Sequence, residues 1–123
     1  MKDTLISFET AKLAKEKGFN WKVNNYFQLK TISGGVFEEY LEDSNQDINS
    51  DFPQNALFSR PSQSLLQKWL REKHNIEVYI IPWIYNNKTV YDFFVNYEGE
   101  SRAYSTYELA LETSLIEGLK HIK

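Results

Sequence analysis

From Ile76 to Tyr97 the chain carries bulky apolar side chains at both odd and even positions, with a turn signal at Asn86-Asn87-Lys88 and single polar residues at Glu77, Asp92 and Asn96. Short apolar runs rich in β-branched and aromatic residues, bounded by a turn signal, predict two strands, Ile76–Tyr85 and Thr89–Tyr97, joined as a hairpin. Any loop with an even number of residues pairs even positions on one strand with odd positions on the other. Val78, Ile80 and Ile84 then share a face with Tyr91, Phe93, Val95 and Tyr97, and this face reads as core. The other face holds Tyr79, Ile81, Trp83 and Tyr85 with Val90, Asp92, Phe94 and Asn96. It is too apolar for an ordinary solvated sheet face, so something must cover it. A helix of the same chain would do so, and so would a partner or a second copy. Tyr79, Ile81, Trp83 and Phe94 are the candidate partner-binding residues. Pro82 has no N–H, so it is expected to break the ladder, and it implies an edge or a bulge.

Elsewhere the period lengthens to that of a helix. Ser7 is a good N-cap, Ile6 and Ala11 can form a hydrophobic staple, and Gly18 with Phe19 can close a Schellman motif. These signals predict a first helix from Ser7 to Lys17 with Phe8, Ala11 and Ala14 inward. Leu65, Leu66, Trp69 and Leu70 repeat at i, i+3, i+4 and predict a second helix over Pro61–Lys73, with proline at the first helical position and Asn75 just past the end. A third helix is predicted over Thr106–Ile122, with Ser105 and Glu108 as a capping box and Leu111, Leu115, Leu119 and Ile122 buried beside Ala110. Gly118 inside it costs about 1 kcal/mol against alanine, a cost that a close helix–sheet approach would explain. Tyr26–Thr31 and Val36–Leu41 read as a further hairpin through Ser33-Gly34-Gly35, and residues 42–55 as a polar loop. The expected order is α-β-β-α-β-β-α, an α+β fold with an antiparallel sheet of two hairpins and three helices. The 123 residues are expected to form one domain.

Composition narrows the chemistry. The chain has no cysteine, which removes thiolate zinc sites, iron–sulfur clusters, disulfides and cysteine nucleophiles together. The N-terminus lacks the apolar stretch of a signal peptide and no run is long enough to span a bilayer, so a cytoplasmic protein without membrane attachment is expected. The net charge is −3, against a general nucleic-acid binder, but the charge is blocky. Lys12, Lys15 and Lys17 lie on the first helix and Lys68, Arg71 and Lys73 on the second, while residues 31–59 carry Glu38, Glu39, Glu42, Asp43, Asp47 and Asp51 with no Lys or Arg.

Few residues combine into a reactive group. Asp43, Asn45, Asp47, Asn49 and Asp51 have the alternate spacing of a calcium loop. Ile48 stands where glycine must allow the sharp turn, and Gln54 where a bidentate Glu belongs. The segment reads as a solvated acidic loop, and no metal or cofactor is expected. His74 and His121, the two histidines, end helices, where a cation is favoured by the dipole. Glu38 and Glu39 are neighbours on a strand, so they point apart and cannot share a proton. No catalytic residues are assigned and no enzyme is expected.

Three stretches carry a likeness. They are Ile6-Ser-Phe-Glu-Thr-Ala-Lys-Leu-Ala-Lys-Glu-Lys-Gly-Phe19, Pro61-Ser-Gln-Ser-Leu-Leu-Gln-Lys-Trp-Leu-Arg-Glu-Lys-His74, and Tyr104-Ser-Thr-Tyr-Glu-Leu-Ala-Leu-Glu112 running into Gly118-Leu119. Together the three helical stretches resemble a group of small uncharacterised proteins of gut Bacteroidetes and of their phages and prophages. The resemblance implies a mobile-element context and a cytoplasmic protein, and it carries no activity. The expected function is a non-enzymatic protein-interaction or regulatory module that binds a protein partner or self-associates as a homo-oligomer. The alternative is a nucleic-acid-associated accessory protein using the basic helices 7–17 and 61–73, with Trp21 or Trp69 as stacking groups.

Overall fold

The computed structural model describes residues 4–30, 35–40, 50–51 and 55–122, with side chains described outside 28–56 and 100–101. Three helices and antiparallel sheets make an α+β fold. The elements run α1 (Phe8–Glu16), β1 (Asn25–Lys30), β2 (Gly35–Tyr40), β3 (Ser50–Asp51), β4 (Asn55–Ser59), α2 (Gln63–His74), β5 (Val78–Tyr85), β6 (Lys88–Val95), β7 (Glu98–Tyr104) and α3 (Tyr107–Lys120). The two expected hairpins lie in separate sheets, ordered β2-β1-β4-β3 and β5-β6-β7. The chain divides into two compact units, Leu5–Ser62 and Gln63–Lys123 with Met1–Thr4.

In the N-terminal unit, α1 has the expected ends. The Ser7 Oγ accepts the Thr10 N–H, and Gly18 takes a φ of +90°. The Phe19 N–H then reaches the Ala14 carbonyl at 3.0 Å and the Gly18 N–H the Lys15 carbonyl at 3.1 Å, which is the double bond of a Schellman motif. The Phe8 ring meets Phe27 and Phe58 edge-on at 5.4 and 5.2 Å, a favoured aromatic geometry. Residues Leu5 and Ser62 form an isolated bridge, and the Ile6 N–H donates to the Pro61 carbonyl. Pro61 therefore does not open α2 as expected. It lies buried two residues before the helix, and the Thr4 carbonyl takes the N–H of Gln63, the first helical residue.

β1 pairs with β2 from Asn25↔Tyr40 to Lys30↔Gly35. Its other side pairs with β4, a strand not anticipated from the sequence. Ser50-Asp51 and Asn55, expected in a loop, belong to β3 and β4. β3 is an edge strand of its sheet, and edge strands accept polar sequence because their outer side meets water. Residues 42–49 and 52–54, with Asp43, Asn45, Asp47 and Asn49 of the calcium-like spacing, lie outside the described residues.

The C-terminal unit is built on β5–β6. Asn86 and Asn87 take φ of 49° and 61°, the two positive values of a type I′ turn, whose twist suits a two-residue hairpin. The register runs from Tyr85↔Lys88 to Val78↔Val95, so the odd–even parity holds. β7 was not expected. Asn96 and Tyr97 supply a second positive-φ turn, and Asn is one of the residues that tolerates it. Helix α3 covers one face of this sheet and α2 packs beside it. Val78, Phe93, Val95, Leu66, Trp69, Leu70, Leu111, Leu115 and Leu119 are all buried. A Cβ at Gly118 would lie 3.0 Å from Val78 Cγ2 and 3.1 Å from Leu70 Cδ1, so the glycine permits the close approach. Thr106 caps α3 in place of Ser105: its Oγ1 accepts the Leu109 N–H at 3.0 Å.

Candidate interaction face

In a two-residue hairpin the residues flanking the turn exchange hydrogen bonds, and bonded pairs alternate from there. Tyr85, Trp83, Ile81 and Tyr79 therefore turn their backbone groups to β6, while Ile84, Pro82, Ile80 and Val78 turn theirs outward. Pro82 does not break the ladder, because its nitrogen faces away from β6 and Pro82↔Tyr91 remains paired. The outer edge is closed further along by α2, whose Gln67 Nε2 donates to the Val78 carbonyl.

Side chains at odd positions of β5 project from the face opposite α3. Tyr79, Ile81, Trp83 and Phe94 all lie there, as the pairing Tyr79↔Phe94, Ile81↔Asp92 and Trp83↔Val90 requires. Tyr79 stacks on Phe94 at 5.2 Å with the rings 9° from parallel, and Trp83 meets Tyr85 at 5.7 Å. Phe94 lies over Gly99 of β7, where an added Cβ would stand 2.5 Å from its Cε1. Lying flat on glycine and on each other, Tyr79 and Phe94 are half-buried on the face opposite α3. Ile81 is 41% exposed and Tyr85 54%. The Nε1–H of Trp83 is buried and has no acceptor among the described residues.

Asp92 is the one acid in this part of the ladder, and its place is structural. Two extra residues of β7 are accommodated between the pairs Tyr91↔Tyr104 and Phe93↔Glu100. Ala103 in this bulge has a φ of 52°, and its N–H donates to Asp92 Oδ1 at 2.9 Å.

Two residues expected in the core are not there. Ile84 is 70% exposed and Tyr97 80%. α3 begins near Tyr91, whose ring meets Tyr107 at 6.0 Å, so the hairpin tip carrying Ile84 runs past the helix. Tyr97 belongs to the β6–β7 turn, and its ring lies 6.3 Å from Tyr79. It extends the aromatic stripe rather than the core. The signal that could have found it is Asn96, a turn former that ends β6 before Tyr97.

The basic helices are partly engaged. Lys15 Nζ donates to the Leu57 carbonyl at 3.1 Å and sits 4.4 Å above the Phe58 ring, and Lys68 pairs with Glu72 at 3.7 Å. Trp69 is 2% exposed and touches His74 edge-on, so it cannot stack on a base. His121 Nδ1 lies 2.8 Å from the Glu117 carbonyl at the end of α3. A cleft of about 210 Å³ is lined by Phe93, Val95, Glu98, Gly99, Glu117 and His121. Among the described residues, no group of three or more His, Asp or Glu is placed to hold a metal ion, and no helix is long and apolar enough to cross a membrane. Comparison with protein families, curated proteins and solved structures gives no match to the chain.

Proposed function

We propose that the protein is a non-enzymatic interaction or regulatory module of the cytoplasm, and that the face bearing Tyr79, Ile81, Trp83 and Phe94 is its binding surface. The observation that carries this reading is the stripe Tyr79-Ile81-Trp83-Tyr85, about 20 Å long at ~3.3 Å per residue, on the sheet face away from α2 and α3. Tyr and Trp are enriched at interface hot spots, and charged side chains are depleted at interface centres. The proposal includes the phage or mobile-element context implied by the resemblance of the helical stretches. A nucleic-acid reading built on helices 7–17 and 61–73 has less support, since Lys15 turns inward and Trp69 is core.

The test separates a binding face from a core. Ile81→Lys with Tyr85→Lys should leave the free energy of unfolding within about 1 kcal/mol of the parent, the usual range for two exposed sites, when measured by urea denaturation at a concentration where both proteins are monomeric. A loss of several kcal/mol would show that the stripe is structural and end the proposal.

A further inference from the structure

We infer that the occupant of this face is a second copy of the chain, seated face to face and antiparallel about Ile81. The inference rests on the interaction reading above and adds the identity and the geometry of the partner. The Asn96 N–H donates to the Glu77 carbonyl and the Glu77 N–H to the Asn96 side-chain Oδ1, both 2.8 Å, which ties Glu77 beside the end of β6 one residue before β5 begins. Ile76 and Val78 on either side of it are buried while Glu77 is half-buried, so its side chain points away from the core, to the side of Tyr79. Lys88, paired with Tyr85, lies on that face at the far end and is exposed. The stripe therefore runs from an acid at Glu77, through Tyr79, Ile81 and Trp83, to a base at Lys88. Its midpoint is Ile81. A twofold axis lying between two such faces, and crossing β5 at Ile81, reverses one stripe over the other. Glu77 of each copy then falls at the Lys88 end of its mate, and the aromatic centres coincide. An isologous contact must be complementary to itself, and a stripe with opposite charges at its ends meets that condition only in the antiparallel sense. Asp92, beside Ile81 near the centre, turns its Oδ1 to the Ala103 N–H of its own chain but keeps its charge, so its two copies oppose the pairing at that point. The route along the strand edge is blunted, because Pro82 offers no N–H there and Gln67 occupies the Val78 carbonyl.

The test uses the full chain. Sedimentation equilibrium should show a monomer–dimer equilibrium in the parent. Lys88→Glu and Glu77→Lys should each weaken it roughly tenfold, since like charges then meet at both ends. The double variant Glu77→Lys with Lys88→Glu should restore it. A dimer indifferent to either single reversal would use another surface and would overturn the inference. Because the chain has no cysteine, Ile81→Cys gives a unique thiol for maleimide labelling. Its labelling should slow roughly fivefold when the protein is raised to about ten times the dimer Kd, as mass action requires. A parent that stays monomeric at every concentration, with the thiol at position 81 labelled freely, overturns the second copy but leaves the face open to a different partner. A thiol that resists labelling in dilute monomer means the face is closed, and both readings fall.

Discussion

The two faces of the β5–β6 hairpin are almost equally apolar in sequence and quite different in the folded chain. On one, Val78, Phe93 and Val95 lie under α3 and are buried. On the other, Tyr79 and Phe94 shield each other and Gly99, while Ile81 and Tyr85 remain open. Apolar character alone does not make a core. A core needs a second layer, and only one of these faces has it within the C-terminal unit. The residue types record the difference. The fully buried positions of the covered face are Val and Phe, with Tyr91 half-buried at its edge, whereas the open one sets Tyr79, Trp83 and Tyr85, which present an apolar body with a polar tip, beside Ile81, Phe94 and a buried Val90.

The sharpest way to break this comparison is to attack the layer that creates it. Trp69 of α2 is 2% exposed, and Trp69→Ala should cost about 3–5 kcal/mol by loss of packing around the vacated site. A urea midpoint equal to the parent's, with an unchanged slope, would refute the assignment of that layer as core.

The two glycines that touch the sheet sharpen the comparison further. Gly118 faces Val78 and Leu70, and Gly99 faces Phe94. Clash distance alone ranks Gly99→Ala as the worse change, since its Cβ would be 2.5 Å from the ring against 3.0 Å for Gly118→Ala. The packing argues the reverse order. Val78 and Leu70 are both buried and have nowhere to go, so overpacking of about 1–3 kcal/mol exceeds the ~1 kcal/mol that alanine returns in a helix. Phe94 is the far end of a side chain on an open face and can swing away. Gly118→Ala should therefore destabilise by about 1 kcal/mol, and Gly99→Ala by less, with loss of the Tyr79–Phe94 stacking signal in near-ultraviolet circular dichroism. The opposite ranking would mean that the stripe is clamped from above.

Much of this arrangement was legible beforehand, and what was missed has identifiable causes. Caps and turn residues located all three helices to within a few residues, because Ser7, Gly18 and Asn75 act through local backbone geometry that needs no tertiary context. Asn75, Asn86 and Asn96 all take positive φ. The parity of the hairpin rested on an even turn, which the fold supplies because Lys88, read from the sequence as part of the turn, belongs to β6 and leaves only Asn86-Asn87 between the strands; the four candidate residues therefore fall together on one face. β4 and β7 were not legible. Their sequences, Asn55-Ala-Leu-Phe-Ser59 and Glu98-Gly-Glu-Ser-Arg-Ala-Tyr104, hold no sustained alternation, and β7 is an edge strand whose bulge scrambles its period. Coverage was also illegible, because how far α3 reaches along the sheet is set by where Thr106 caps it relative to the hairpin tip.

That last point supplies the smallest effect and the most discriminating one. Ile84 shares strand, face and residue type with Ile80, and from sequence the two look interchangeable. In the fold, Ile80 pairs with Phe93 under the helix and is half-buried, whereas Ile84 pairs with Thr89 past the end of α3 and is 70% exposed. Ile84→Thr keeps the β-branch and hence the strand preference, and it exchanges a methyl and a methylene for a hydroxyl that water can solvate. The expected change in unfolding free energy is below about 0.5 kcal/mol, the range for exposed positions. Chemical denaturation of this variant beside Ile80→Thr, which places a hydroxyl against Phe93, should give the larger loss at position 80. Equal losses would mean that the hairpin tip has a covering layer of its own, and the line drawn between core and open surface along β5 would have to move toward the turn.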